Sequence, residues 1–170
     1  MSRPIHHIHP FPGLKHFDHT LSDVYVGREA EKSQLLKKLN TENFVAILGA
    51  SGVGKTSFIE SKVIPILKKG YILRGLSEWR IATLRPNKNL IRSLAHALSD
   101  ISFIKSGIDD KIPPNLTTKF ENILYQNKFG ILDIFEEYNL LEDKNVLIFI
   151  DHFDDIFQSY NSNPEELFTF

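Results

Sequence analysis

Three short apolar runs, separated by longer stretches of mixed character, set the plan of this chain. They are Phe44-Val45-Ala46-Ile47-Leu48, Arg80-Ile81-Ala82-Thr83-Leu84 and Val146-Leu147-Ile148-Phe149-Ile150. Each reads as a strand. The first and third are continuously apolar, as strands covered on both faces of a sheet are. Helical spacing fills the intervals. Over 28–40, Ala30, Leu35, Leu36 and Leu39 share one face while Glu29, Glu31, Lys32, Lys37 and Lys38 are polar, and Asn40 is a plausible stop. Over 56–69, Phe58, Ile59, Val63, Ile64 and Leu67 are apolar; Pro65 should kink or shorten this helix, and Gly70 ends it. Pro86 and Asn87 punctuate, with Asn87 a candidate N-cap, before a helix over 90–98 carrying Leu90, Ile91, Leu94, Ala95 and Leu98. Residues 99–116 are mixed, with a loop at Pro113-Pro114, and 119–138 is helical with an interruption near Gly130. Strands alternating with helices predict an α/β domain with a mostly parallel sheet. The expected division is an irregular arm over 1–20 and a folded domain over 21–170, without internal repeats.

Composition narrows the classes. The 170 residues are 42% hydrophobic, enough for a core and too many for a disordered chain. The net charge of −1 offers no basic field for nucleic acid. With no cysteine, disulfides and thiolate metal sites are excluded. No apolar run approaches the about 20 residues of a membrane span, and the N-terminus lacks an apolar signal core, so a soluble cytoplasmic protein is the expectation. His6, His7, His9, His16 and His19 give the arm scattered imidazoles. A surface arm is favoured over a metal site, because no acidic partners sit at ligand spacing.

The candidate chemistry lies directly after the first apolar run. Gly49-Ala50-Ser51-Gly52-Val53-Gly54-Lys55-Thr56 fits G-x-x-x-x-G-K-[ST], a phosphate-binding loop (Walker A) between a strand and a helix. Glycines let the backbone wrap phosphates, backbone N–H groups can form an anion nest, and the following helix presents its positive end. Lys55 supplies a mobile cation for the outer phosphates, and Thr56 a hydroxyl for Mg²⁺. An ordinary Gly-rich strand-to-helix turn is the alternative, but it needs fewer glycines and no Lys-Thr.

A second requirement of such a site is an acid at the carboxyl end of a buried strand. Asp151, directly after the third run, meets it as a Walker B element holding Mg²⁺ through its water shell. A strand-ending Asp that caps the next turn is the other reading of this residue. Asp154 and Asp155 are candidates to orient or deprotonate water, and equally fit a solvated acidic turn.

Together these motifs resemble the STAND class of signal-transduction NTPases, most closely the bacterial novel STAND NTPase type 1 domain. Pro10-Phe11-Pro12-Gly13-Leu14-Lys15-His16-Phe17 is similar to its proline-glycine-leucine lead-in. Tyr25-Val26-Gly27-Arg28-Glu29 is similar to its F-x-G-R-E segment. Ser57-Phe58 with Val63-Ile64-Pro65-Ile66-Leu67 is similar to its S-L…L-L-P-x-L helix, odd proline included. Trp79-Arg80 and Thr83-Leu84-Arg85-Pro86 are similar to its W-R…R-P-G strand and turn, with Asn87 replacing glycine. Asp151-His152-Phe153-Asp154-Asp155-Ile156-Phe157 is similar to its D-Q-F-E-E-L-F, with both glutamates shortened.

The resemblance implies a three-layer P-loop sandwich that binds ATP or ADP with Mg²⁺ and switches between resting and signalling forms, often in bacterial defence. Residues 49–56 with Ser57 would bind the nucleotide, and Val26, Gly27 and Arg28 would border the adenine. His152 stands where many P-loop ATPases carry a glutamate, which points to slow hydrolysis at most. Sensor or effector regions, C-terminal in a longer protein or on a partner chain, are the implied partners. In this subclass the strand after Walker B enters the sheet between the P-loop strand and the Walker B strand. The chain ends at Phe170, so the sheet is expected to be incomplete at its C-terminus, with unpaired backbone groups costing on the order of 1–3 kcal/mol each if left dry. A truncated, non-hydrolysing regulatory module is therefore an alternative. A small P-loop kinase is a further one, disfavoured because no lid-like arginine cluster is present.

Overall fold

The computed structural model describes residues 26–86, 89–104, 114–142 and 144–160, with side chains to 157. The histidine-rich arm, the 10–17 segment, Tyr25 and Asn87 lie outside the described residues. The chain divides into two compact units, residues 1–77 and 78–170.

In the first unit, α1 (Glu29–Thr41) carries Glu29 and Glu31 in its first turn and Lys38 in its last, each sign complementing the helix dipole. Its apolar stripe buries Leu35 and Leu36. The next helical stretch begins as α2 (Lys55–Phe58), widens into a π-helical turn (Ile59–Val63), and resumes as α3 (Ile64–Lys68). The π turn lies just before Pro65, whose missing N–H cannot bond one turn back, so the expected kink takes the form of a widened turn. Gly70, at φ 97°, closes the stretch by donating to the Leu67 carbonyl at 3.0 Å. Phe58, Ile59, Val63, Ile64 and Leu67 are buried along its inner side. Beyond it Leu73 and Leu76 exchange backbone hydrogen bonds of 2.9 and 2.8 Å across Arg74 and Gly75. Both central residues have positive φ, as a type I′ turn requires.

The strand expected at 44–48 is not formed. The segment has no regular structure, and Phe44 and Leu48 are 81% and 90% exposed. An apolar run becomes a strand only where a neighbour satisfies its backbone groups. Among the described residues, the sheet pairs β1 with β2 and does not include this segment.

The second unit holds that sheet. β1 (Trp79–Leu84) and β2 (Asn145–Ile150) run parallel, in register from Trp79 opposite Asn145 to Leu84 opposite Ile150. Asn145 N–H donates to Glu78 O and Asp151 N–H to Leu84 O, both at 2.9 Å, extending the ladder at each end. The fold is α/β, with a parallel sheet of two strands among the described residues. Residues 146–150 are half-buried, not covered on both faces as their unbroken apolar run suggested, consistent with a sheet of two strands.

Helices α4 (Leu90–Leu98) and α5 (Ile101–Ile104) pack on β1; α6 (Leu116–Gln126) packs on α4, and α7 (Gly130–Glu137) on α6. The cap of α4 is Asn89, whose side chain accepts from Arg92 N–H at 2.9 Å. Phe103, Phe120, Leu98, Ile104, Ile134 and Leu140 form the fully covered centre of the core. Phe120 meets Tyr138 edge-on, centroids 5.1 Å apart. Arg80, only 4% exposed, donates from Nη1 to the carbonyls of Phe103 and Ile104 at 2.7 and 3.1 Å. It thereby satisfies acceptors that the end of α5 leaves without helical partners. Burial pushes its guanidinium below the ordinary value, with Glu78 acting in the opposite sense.

Candidate functional site

The candidate residues fall into two groups, one in each unit. In the first, Gly49, Ala50, Ser51, Gly52 and Val53 are exposed, Gly54, Lys55 and Thr56 half-buried, and Ser57 buried. Gly52 and Gly54 have φ of 77° and 83°, where an L side chain is strained. Gly54 is the N-cap of α2, and its carbonyl accepts from Phe58 N–H at 3.0 Å. A Cβ on Gly49 would lie 3.1 Å from Val53 Cγ1, a tight approach that the exposed Val53 side chain would have to relieve by a small shift. The Lys55 ammonium donates to the Gly49 and Ala50 carbonyls at 2.7 and 3.1 Å, which places its charge at the mouth of the loop.

The Gly27-Arg28-Glu29 segment is joined to this loop. Gly27 and Arg28 both have positive φ, 94° and 60°. From there Arg28 Nη2 donates to the Val53 carbonyl, and its guanidinium lies over the Phe58 ring, 6.0 Å from the centroid. Glu29 bonds Lys62 at 2.8 Å and also Lys32. Hydrogen bonds from Lys32, then Lys62, hold its carboxyl down at about 2. Val26 is exposed. Lys62 was not a candidate from the sequence. It lies 33 positions from Glu29, and nothing in local spacing links the two.

In the second group, Asp151 follows β2 by one residue and its side chain is 12% exposed. Arg85 follows β1 by one residue and donates to Asp151 Oδ2 at 2.9 Å. Arg85 was also not a site candidate; the parallel register that brings the two strand ends level is the signal that finds it. His152, at φ 54°, places Nε2 3.7 Å from the same carboxylate oxygen. His152, Asp154 and Asp155 bring one potential ligand atom each within 4.8 Å of one another. His152 and Asp154 are exposed and Asp155 half-buried at the start of α8 (Asp155–Tyr160). Phe153 and Phe157 flank them edge-to-face, 5.9 Å apart.

The structure thus joins Arg28 to Val53 and Phe58, sets Asp151 against Arg85 and His152, and gathers His152 with Asp154 and Asp155. Among the described residues, no helix is long and apolar enough to cross a membrane. No curated protein and no solved structure matches the chain. The family model of Novel STAND NTPase 1 matches residues 10–170. On that match over nearly its whole length, the chain belongs to the Novel STAND NTPase 1 family.

Proposed function

We propose that the chain is the nucleotide-binding core of a cytoplasmic signalling switch, taking ATP or ADP with Mg²⁺ in a three-layer P-loop fold. The observation that carries this reading is the Gly49–Thr56 loop, where left-handed glycines and the Lys55 ammonium sit at the head of a helix in a chain of this family. Lys55 would leave the loop carbonyls for phosphate oxygens, which are stronger acceptors for an ammonium. Thr56 and Asp151 are oxygen donors of the kind Mg²⁺ prefers, and the metal, when bound, neutralises charge on the phosphates. The well-covered Asp151 carboxylate at a strand's carboxyl end suits that role. Asp154 and Asp155 would orient water. Sensor and effector regions, on a longer chain or a partner, would read the bound state.

His152, standing where many P-loop ATPases carry a glutamate, favours binding with little or no hydrolysis. Titration calorimetry with ATP and Mg²⁺ tests the reading. Lys55→Ala should weaken binding by about tenfold or more, equivalent to about 1.4 kcal/mol. Equal binding by parent and variant, or none by either, defeats it. Release of inorganic phosphate at a rate typical of ATPases would defeat the slow-hydrolysis part.

A further inference from the structure

We propose that Arg28 is a positioning residue of the 49–54 loop, setting the shape of the phosphate cradle through the Val53 carbonyl without touching the nucleotide base. This rests on reading that loop as a nucleotide cradle.

Three observations in the first unit carry it. Arg28 holds a left-handed backbone conformation at φ 60° directly after Gly27 at φ 94°, which non-glycine residues avoid unless something compensates. The compensation is visible. The side chain is aimed at the loop, donates to Val53 O, and rests over Phe58 of α2. The next residue, Glu29, bonds Lys62 in the helical stretch that the loop leads into. Two adjacent residues at the start of α1 therefore grip the loop and the helix behind it.

The grip has a route to the cradle. Val53 lies against Gly49, where a Cβ would come within 3.1 Å of its Cγ1. The Gly49 carbonyl in turn accepts from Lys55 at 2.7 Å. Shifting the Val53 carbonyl therefore disturbs the packing at Gly49 and the resting place of the Lys55 ammonium. A guanidinium suits this double contact because it is always charged, planar and rigid. One face can lie on a ring while an edge donates to a carbonyl.

The test compares Arg28→Ala and Arg28→Lys with the parent in two measurements. The first is amide hydrogen exchange of the nucleotide-free chain. Arg28→Ala should raise exchange across 49–55 roughly fivefold or more, with Arg28→Lys, which keeps a donor, in between. Unchanged exchange across 49–55 overturns the proposal. The second is binding of Mg-ATP against Mg-tripolyphosphate, which has no base or ribose. Arg28→Ala should weaken both by the same factor, about tenfold. Loss of ATP affinity with tripolyphosphate unchanged would assign Arg28 to the base or ribose and overturn the proposal. A parent that binds neither anion refutes the nucleotide reading of the loop, while the exchange measurement still decides whether Arg28 holds it. Equal unfolding midpoints for parent and Arg28→Lys separate a local effect from a failure to fold.

Discussion

Glu29 accepts from two lysines, and its carboxyl is held at about 2 against an ordinary 4.5. A carboxyl lowered on folding stabilises above its unfolded value, and that contribution is lost as the pH falls through the folded one. The loss attributable to Glu29 thus falls between about pH 4.5 and 2. Chemical denaturation across that window should show a flatter pH dependence for Glu29→Gln than for the parent; parallel curves would remove Glu29 from the account. Gly130 poses a steric question instead. A Cβ there would sit 2.8 Å from the Ile123 carbonyl oxygen, a backbone atom that cannot swing aside. Gly130→Ala should destabilise by about 1–3 kcal/mol, read from the urea midpoint, through forced separation of α6 and α7. The interruption at Gly130 was legible in the sequence as a break in periodicity. Its cause, backbone against backbone, was not, because that belongs to the packing of two helices.

At the scale of elements, helices were more legible than strands. α4 spans the expected residues because Ile91, Ala95 and Leu98 recur at helical spacing and turn inward together. Its cap is Asn89, two residues after the candidate at Asn87. Asn89→Ala should cost about 1 kcal/mol of stability in the same denaturation assay, since the Arg92 N–H would lose its acceptor. α5 was not foreseen, as four residues are too few to show a period. Its covered side chains, Phe103 and Ile104, are held through their carbonyls by Arg80, 23 and 24 positions earlier in the chain. The expected strand at 44–48 fails for the opposite reason. Its local pattern is strong, but a strand is a property of at least two segments, and this one is outside the sheet formed by the described residues. Of the loop that follows it, the turn to a helix at Lys55 and the left-handed glycines at 52 and 54 agree with the sequence pattern, while the strand expected to precede it is absent.

At the scale of the molecule, the chain places the glycine-rich 49–56 loop in one compact unit and the His152, Asp154 and Asp155 group, just after a parallel strand, in the other. The family match spans both, so the two groups belong to a single evolutionary unit. The exposed segment Phe44-Val45-Ala46-Ile47-Leu48 has a colloidal consequence. It is uncharged, free of proline, rich in strand-forming residues and open to solvent. Such a segment can template self-stacking of identical chains into fibrils. Shelf life of a concentrated solution should then be set by this pentapeptide more than by global unfolding. Ala46→Lys, at an exposed position, should lengthen the lag of thioflavin-positive aggregation several-fold at equal protein concentration and equal unfolding midpoint, as gatekeeper charges do.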